Sequence, residues 1–493
     1  MTAHLPALIV VVPLFVSVLL PLVSRFFPFL SRLLNFTSYG VVFGCSVMAL
    51  MTVLDNGSWH YEMGGWAPPW GIEYVVDPLS GGMAVLVSFM ALLTCVYLEG
   101  QREEQSQGGT TLFDSLFLLL LAGLLGIIVT GDIFNLYVFL EISSIAGYGL
   151  LASGGIRGVV ATFRYLLLGT VAASFYLLGV GYLYALTGTL NMADLSVRVP
   201  EIAGTAPFSV AVTFIIVGLA IKMAVFPLHG WQPDAYAYAP PAVTGFIAAV
   251  MSKVSAYALF RILFFVLLVE GAAGHAVAWL GWVAVVAMLA GSILALAQTD
   301  VRRMLAYSSV GQMGYILLGF SLANTTGLTG ALFHLLNHAA MKGCLFFAVG
   351  GVLWRTGGGT VDDFIGMGRR QPLAMAALTV AALSMVGLPP TAGFFSKWYL
   401  IQGSIESGQW VFVVAIAISS FLSAAYFFRL LERIYFRELV GSALTKDSSE
   451  VLSLKMLVPV ALLGGIVFVL GAFSFSVVSG VIEPALPELL RGK

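Results

Sequence analysis

Apolar residues form long blocks along the whole chain, and short polar segments separate these blocks. Each block is about 20 residues long, which is the length that a helix needs to cross the hydrocarbon core of a bilayer. The pattern therefore predicts an all-α polytopic membrane protein, a single membrane domain over residues 1–493, with about fourteen spanning helices. The predicted spans lie near residues 5–23, 37–54, 78–98, 112–130, 133–152, 163–186, 208–226, 241–268, 276–297, 301–321, 328–353, 372–402, 410–434 and 456–478.

Composition supports this interpretation. The 493 residues are 59% hydrophobic and only 10% charged, a balance that excludes an ordinary soluble domain. The formal net charge of −1 gives no indication of a charged partner. We expect the lipid bilayer as one partner and no nucleic acid.

The distribution of positive charge predicts the orientation. No Lys or Arg precedes the first apolar block and no small-residue cleavage site follows it, so this block is not typical of a cleaved signal peptide. With the N-terminus outside, most of the 23 Lys and Arg residues fall in inside loops, in agreement with the positive-inside rule. The inside set is Arg25, Arg32, Arg102, Arg157, Arg164, Arg302, Arg303, Arg355, Arg369, Arg370, Arg429, Arg433, Arg437, Lys446 and Lys455. The outside set is Arg198, Arg491 and Lys493. We predict a multi-pass protein of the cell inner (cytoplasmic) membrane with both termini on the outer, periplasmic side.

Several charged residues fall inside the predicted spans. They are Glu141, Lys222, Lys253, Arg261, Lys342 and Lys397. A charge at the centre of a membrane helix costs roughly 2.5–3.5 kcal/mol and usually marks an ion or proton path or pairs with another charge. A single static ion pair would explain two of these residues, but their number favours a path. Arg261 has a second interpretation, because it could extend from the end of its helix to the membrane surface.

Two predicted spans are interrupted by proline close to a lysine. Lys222 is followed by Pro227 and then by a polar segment that includes His229 and Asp234. Proline removes a backbone donor, and broken backbone at membrane depth is tolerated only inside protein or beside water. The sequence thus predicts a broken helix at Lys222, or alternatively an ordinary helix that ends at the membrane surface.

The second interruption lies next to Lys397, where Pro389 and Pro390 follow Gly387. Paired broken segments in the two halves of a membrane chain indicate an internal repeat and a transport path.

The segment ALFHLLNHAAMKGCLFF places His334, His338 and Lys342 at positions i, i+4 and i+8, on one face of a helix. Histidine titrates near neutral pH and can pass protons. A His-x₃-His pair could also bind zinc, but no third ligand is evident nearby and Lys342 would repel a metal ion. Polar packing between helices is the remaining interpretation. We therefore predict no metal site.

Together these residues predict a lateral proton relay. A group that is buried near a carboxylate can load and release a proton as its neighbours move. The row would run from Glu141 through Lys222, Lys253 and the two histidines to Lys397.

The chain itself lacks the signatures of redox chemistry. Cys45, Cys95 and Cys344 are scattered and form no CxxC cluster for iron–sulfur binding. No G-x-G-x-x-G follows a predicted strand. We expect no cofactor and no catalytic residue in this chain, so any redox step would occur in partner subunits.

Several segments in order resemble one protein family. They are FNLYVFLE, IKMAVFPLHGWQPDAY followed by SKVSAYALFR, DVRRMLAYSSVGQMGYI, FHLLNHAAMKGCLFF and GLPPTAGFFSKW. The chain resembles, over nearly its whole length, the antiporter-like membrane subunits shared by respiratory complex I, Mrp-type cation/proton antiporters and membrane-bound hydrogenases.

The resemblance implies fourteen helices with two inverted five-helix repeats. Residues 1–100 would hold helices 1–3, residues 112–268 the first repeat, residues 276–434 the second, and residues 456–478 helix 14, with helices 7 and 12 broken. It also implies that Glu141 and Lys222 form the key ion pair. Lys253, His338 and Lys397 match other relay positions of the family, whereas His334 and Lys342 are shared with only part of it. Some complex I members have a histidine where this chain has Gln312, which does not titrate.

The resemblance implies a proton-translocating subunit that works with other membrane subunits. The size of the chain and FNLYVFLE favour an Mrp D-type subunit and monovalent cation (Na⁺)/H⁺ antiport, with H⁺ and Na⁺ or K⁺ as the ions. FHLLNHAAMKG favours a hydrogenase-type subunit, so the alternative is a proton-pumping subunit of a redox-driven complex. Two further classes remain, a stand-alone solute transporter and a structural or quinone-handling membrane subunit.

Overall fold

The computed structural model describes residues 4–105, 111–269, 271–437 and 452–487. Three of the basic residues used to predict the orientation lie outside these ranges. Lys446 lies in the gap between residues 437 and 452, and Arg491 and Lys493 follow residue 487. The described chain is almost entirely helical, which confirms the all-α fold class. Its first part contains α1 (Leu5–Phe26), α2 (Pro28–Asn56), β1 (Trp59–Glu62), β2 (Glu73–Val76), α3 (Pro78–Gln105), α4 (Thr111–Val129), α5 (Ile133–Ala152), α6 (Ile156–Thr187) and α7 (Met192–Ile202).

The remaining part of the described chain also consists mainly of long helices, and two of its predicted spans are interrupted. Its helices are α8 (Ala206–Met223), α9 (Gln232–Tyr238), α10 (Pro241–Arg261), α11 (Ala272–Leu296), α12 (Val301–Leu322), α13 (Thr325–Thr356), α14 (Met367–Arg370), α15 (Pro372–Val386), α16 (Ala392–Glu406), α17 (Trp410–Tyr435), α18 (Leu454–Ala472) and α19 (Ser474–Val477). A π-helical turn, Ile262–Val266, extends α10.

In the described residues, 12 helices are long and apolar enough to cross a membrane, and α15 is a shorter apolar helix. The number of fourteen spans and the division into two inverted repeats remain predictions. The predicted breaks are present. One lies between α8 and α9, and the predicted span 372–402 consists of α15 and α16 with an interruption between them.

The centre of the bundle is α13, which is almost completely buried. It packs against α10, α12, α15, α16 and α18. Small residues allow this close approach, since packing rather than hydrophobic burial holds helices together in a bilayer. At Gly343, for example, a Cβ atom would lie 2.5 Å from the terminal carbon of Met90, so the neighbouring helix α3 occupies the space of a side chain.

The two ends of the bundle differ. At one end, which we call the hairpin end, the antiparallel β1–β2 hairpin, α7 and the turn before α5 meet through bridges between Tyr74 and Thr130 and between Asp132 and Asn191. Sequence analysis predicted neither the hairpin nor α7. The opposite end, which we call the arginine end, holds ion pairs from Arg32 to Glu99, Arg102 to Asp114, Arg433 to Asp362 and Lys455 to Glu103.

Candidate functional site

Glu141 and Lys222 meet although they come from different helices. Glu141 lies in the middle of α5, and Lys222 is the penultimate residue of α8. The Lys222 Nζ atom lies 3.9 Å from Oε1 of Glu141, which is an ion pair but too long for a hydrogen bond. Instead, Nζ donates a 2.6 Å hydrogen bond to the hydroxyl of Ser144, one turn along α5. Lys222 therefore has two acceptors on one helix and is bonded to only one of them.

The exposure of Glu141 corrects an expectation. We expected a buried carboxylate, but 31% of the Glu141 side chain is exposed on the surface of the chain. Its Oε1 atom faces inward, and it has no hydrogen-bond partner among the described residues. Lys222, by contrast, is only 3% exposed. The ion pair thus joins the buried interior to the outer surface of this bundle.

The break after Lys222 has a clear backbone origin. Ala224 adopts a left-handed conformation, with φ of 57°, and its N–H closes α8 on the carbonyls of Ala220 and Ile221. Pro227 lies in the segment before α9. The indole of Trp231 donates a further hydrogen bond to the Ile221 carbonyl at 2.8 Å and so holds the segment before α9 against the end of α8. Residue Lys222 thus belongs to the last turn of α8, the negative end of the helix dipole.

Lys397 has a related position at the second break, between α15 and α16. Its Nζ atom donates to the carbonyls of Met385 and Val386, at 2.9 and 3.0 Å, and to the hydroxyl of Ser420 at 3.0 Å. It also lies 4.6 Å from the centre of the Tyr315 ring. Pro389 and Pro390 lie in the interruption itself. Although Lys397 belongs to α16, its ammonium binds the end of α15.

The predicted face of α13 is buried, and it contacts two neighbouring helices. The rings of His334 and His338 are stacked with centroids 5.9 Å apart. His334 bridges Gln312 of α12, at 2.9 Å from Nε2, and Ser396 of α16, at 2.9 Å from Nδ1. Since Ser396 precedes Lys397, His334 connects Gln312 directly to the second break.

Lys253 and Lys342 are fully buried, and each donates to a backbone carbonyl. Lys253 Nζ lies 2.5 Å from the carbonyl oxygen of Ala248. Lys342 Nζ lies 2.7 Å from that of Leu305 and also donates to the Ser308 hydroxyl. Within the described part of the chain, neither lysine has a carboxylate within ion-pair distance. In contrast to these two lysines, Lys222 forms an ion pair with a carboxylate.

Further polar side chains are buried in α9, α10 and α13. Among the described residues, neither ring nitrogen of His338 has a hydrogen-bond partner. The polar side-chain atoms of Gln232, Tyr236 and Ser252 lie next to one another but form no well-aligned hydrogen bond. Buried polar groups in native proteins are nearly always paired with protein or water. These atoms therefore mark buried places where water molecules could bind.

From α8 onward, the helices that carry the predicted relay residues pack against one another in the predicted order. α8 packs on α10, α10 on α13, and α13 on both α12 and α16. We call the charged and imidazole groups of the predicted relay the polar row. The polar row consists of Glu141, Lys222, Lys253, His338, His334, Lys342 and Lys397.

Asp234 and His229 lie apart from the polar row, near the arginine end. Asp234 pairs with Arg164 of α6, at 2.6 Å, and with Arg303 of α12. This pairing ties α9 to helices of both halves of the chain. His229 is partly exposed, and its ring contacts Phe226 and Tyr307.

Arg261 does not extend freely to the membrane surface, as one interpretation suggested. It forms an ion pair with Asp77, the residue before α3. Asp132, at the start of α5, accepts a hydrogen bond from the Asn135 amide and so caps the helix. In the described residues, no group of three or more His, Cys, Asp or Glu side chains is placed to share a metal ion.

Sequence reasoning missed Ser144 and Tyr148. Both lie on the face of Glu141, at i+3 and i+7, and this spacing of polar groups was the available signal. A Cβ atom on Gly169 of α6 would lie 2.0 Å from the Tyr148 hydroxyl and 3.5 Å from Lys222 Nζ. The Tyr148 hydroxyl and the ammonium therefore share the space over Gly169.

An all-α bundle with two interrupted helices and lysines at both breaks defines an antiporter-like membrane subunit. Residues 130–423 match the family described as NADH:quinone oxidoreductase/Mrp antiporter, transmembrane, and the chain belongs to this family.

Known relatives agree with this assignment. The chain is 52% identical over 502 aligned residues to the NADH-quinone oxidoreductase subunit N of Desulforudis audaxviator, with 99% of each chain covered. It is 30% identical to the D subunit of the Na(+)/H(+) antiporter of Bacillus subtilis, with 84% of this chain and 83% of that one covered.

Among solved structures, a chain of the membrane-bound sulfane sulfur reductase, an archaeal respiratory membrane complex, aligns with a TM-score of 0.88 and 31% identity. The alignment covers 97% of this chain and 96% of that one. The protein is therefore a membrane subunit whose partners are other membrane subunits of a multisubunit complex.

Proposed function

We propose that this chain translocates protons as a membrane subunit of a redox-driven quinone oxidoreductase complex. The observation that carries the proposal is the Lys222 ammonium, which lies between Ser144 at 2.6 Å and Glu141 at 3.9 Å. An ammonium with two alternative partners can move between a paired and an unpaired state. Each movement changes how strongly the site holds a proton.

The choice of complex follows the relatives. The length of the chain and the FNLYVFLE segment favoured Na⁺/H⁺ antiport, and FHLLNHAAMKG favoured the alternative of a redox-driven complex. The 52% identity to a protein named as part of an NADH-quinone oxidoreductase supports that alternative better than the 30% identity to part of an Na(+)/H(+) antiporter. The interior of the polar row is rich in lysine, which suits protons better than bound sodium, an ion that requires oxygen ligands.

Glu141 supports the assembly with a partner subunit. A partly exposed carboxylate in the middle of a membrane helix is costly against lipid. Neighbouring side chains on the same surface of α5 are apolar and exposed, with Ile145 at 60%. A second membrane subunit against this face would shield the carboxylate from lipid and give it a further partner.

We also propose the orientation. Arg164, Arg303 and Arg433 lie at the arginine end, which the positive-inside rule places in the cytoplasm. The hairpin end then faces the outside of the inner membrane. The division into helices 1–3, two repeats and helix 14 is part of this proposal, with the two breaks at matching positions of the repeats.

The test uses the intact complex, purified gently from native membranes and reconstituted into sealed vesicles with a pH-sensitive dye. Reduction of quinone should drive proton movement in the native complex. Lys222→Ala and Glu141→Gln should abolish that movement while assembly is retained, and Glu141→Asp should keep part of it. Lys455→Ala is the matched control, because Lys455 pairs with Glu103 at the arginine end, away from the polar row.

Two outcomes would contradict the proposal. Full proton movement in Lys222→Ala or Glu141→Gln would show that the ion pair is not part of the path. Proton movement that follows an imposed Na⁺ gradient, and that needs no electron donor, would instead support Na⁺/H⁺ antiport. This second candidate function rests on the similarity to the Na(+)/H(+) antiporter of Bacillus subtilis.

A further inference from the structure

A second line of polar groups leaves the polar row at Lys253 and runs along α10. Lys253, Tyr257 and Arg261 occupy positions i, i+4 and i+8, so they follow one face of the helix. This face leads from the middle of the bundle to the hairpin end, a rise of about 12 Å over eight residues. Lys253 is 0% and Tyr257 2% exposed, so the line is enclosed by protein.

At the hairpin end, the line meets α3. The Tyr257 hydroxyl donates to the Ile128 carbonyl at 2.7 Å and lies beside the hydroxyl of Ser80. Ser80, which is fully buried, donates to Oδ1 of Asp77 at 3.0 Å. A tyrosine hydroxyl, a serine hydroxyl and a carboxylate therefore follow one another toward the surface.

Asp77 is the last group of the line. It forms an ion pair with Arg261, which is the last residue of α10. Burial alone would raise the pKa of Asp77, but the Arg261 guanidinium and the hydrogen bonds from Ser80 lower it below its ordinary value. Tyr257 is a second titratable side chain close to this carboxylate. The guanidinium also stacks on Phe265, 4.5 Å from the ring centre.

A cavity opens directly above this ion pair. It has a volume of about 540 Å³ and is lined by Asp77 together with Ser58 beside the hairpin, Phe264 and Phe265 after α10, and Pro484 and Ala485 near the end of the described chain. Among the described residues that line it, Asp77 is the charged one. A cavity of this size at the bundle end has room for many water molecules.

A purely structural role does not require this arrangement. Asp77 caps α3, since its Oδ1 atom accepts a 2.8 Å hydrogen bond from the Ser80 amide. Asparagine or serine would cap the helix as well. A carboxylate and a guanidinium that are each only 11–12% exposed carry a desolvation cost that a neutral cap would avoid.

We propose that Asp77 and Arg261 form an ion-pair gate through which protons leave the polar row at the hairpin end. This inference rests on the proposed function of the polar row. Lys253 would swing from the Ala248 carbonyl toward Tyr257 and hand over one proton. The Tyr257 hydroxyl passes its own proton to Ser80, Ser80 passes one to Asp77, and the ion pair with Arg261 opens. Asp77 then releases a proton into the cavity, and the ion pair forms again, so one proton moves and no bond between heavy atoms changes.

The test measures proton release on the hairpin face of vesicles that contain the intact complex. Tyr257→Phe removes one hydroxyl and keeps the ring, and Asp77→Asn keeps the cap and removes the charge. Each should slow release roughly a hundredfold or more, because a positioned proton-transfer group contributes about 10²–10⁴-fold to a rate. Asp77→Glu should restore part of the rate. Asp194→Asn is the control, because Asp194 pairs with Arg198 on α7 at the same end but lies outside the line.

Lys222→Ala is measured in the same vesicles, so that the two proposals can fail separately. If Tyr257→Phe and Asp77→Asn release protons at the native rate while Lys222→Ala is inactive, the gate is wrong and the polar row stands. If Lys222→Ala is fully active, the proposed function itself is wrong. If Asp77→Asn does not assemble, Tyr257→Phe alone decides, since its loss of one buried hydroxyl leaves the ion pair in place.

Discussion

The ammonium of Lys222 is hydrogen-bonded to Ser144 rather than to Glu141, although both acceptors lie within one turn of α5. Ser144 can accept this hydrogen bond because its own hydroxyl donates to the Leu140 carbonyl at 2.6 Å. The serine therefore holds the ammonium just beyond hydrogen-bonding distance of the carboxylate. In the proposed function, this arrangement would let the ion pair open and close.

Replacement of Ser144 by alanine should remove the alternative partner of Lys222. The ammonium would then collapse onto Glu141, and the ion pair would open less often. A hydrogen bond to a charged group is worth about 1.5–3 kcal/mol, so we expect proton transport to slow roughly tenfold or more. Transport by the reconstituted complex is the measurement.

Ser143→Ala is the control for this prediction. Ser143 is the neighbouring residue, and its hydroxyl bonds only to the Leu140 carbonyl at 2.9 Å. Equal rates in Ser143→Ala and Ser144→Ala would show that the hydrogen bond to Lys222 has no role in transport.

Gly169 of α6 provides a second way to disturb the same site without removal of any charge. A Cβ atom there would lie 2.0 Å from the Tyr148 hydroxyl and would touch Lys222 Nζ at 3.5 Å. We expect Gly169→Ala to displace Tyr148 and to slow transport several-fold, even though alanine favours a helix by about 0.5–1 kcal/mol over glycine. Gly181→Ala on the same helix is matched, since nothing lies within 4 Å of its Cβ position. A native rate in both variants would mean that Tyr148 is free to move without consequence.

Much of this site was accessible from the sequence, because membrane spans impose strong patterns. Lys222 and Lys397 are recognisable as charges inside apolar runs, and the prolines near them indicate breaks. Both breaks are present. At the first, Lys222 lies in the last turn of α8 and its ammonium binds Ser144. At the second, the carbonyls exposed at the end of α15 bind the Lys397 ammonium, although Lys397 belongs to α16.

The side chains that contact these residues could not be predicted from the sequence. Ser144 and Tyr148 are common residues of membrane helices, and only their spacing from Glu141 marks them. Arg261 pairs with Asp77 across 184 positions of the chain, a contact that no local pattern encodes. The β1–β2 hairpin consists of two strands of four residues, too short for an alternating pattern to be distinguished from an ordinary loop.

Gln312 offers a third test, because it holds His334 at the second half of the row. The two side chains lie 2.9 Å apart, and both are almost fully buried. Gln312→Leu would leave a polar atom of His334 unpaired, at a cost of about 1–3 kcal/mol in the free energy of unfolding. We expect lower thermal stability and slower transport together. Gln298→Leu, at the end of α11, should change neither, and a loss of stability without any change in transport would remove Gln312 from the path.

Lys397 allows structural and transport roles to be separated. Its ammonium donates hydrogen bonds to the two carbonyls at the end of α15. A side chain that can still donate a hydrogen bond should therefore preserve the break, whereas a side chain that can only accept one should not. We expect Lys397→Gln to assemble with nearly native stability but to lose most transport, because an amide side chain does not take up and release protons. Lys397→Glu should lower stability as well, since an ionised carboxylate would face the Met385 and Val386 carbonyls. Thermal unfolding and proton transport of the purified complex, measured side by side, distinguish these effects. If Lys397→Gln transports at the native rate, the lysine serves only to cap α15, and protons must cross the second half of the chain by another route.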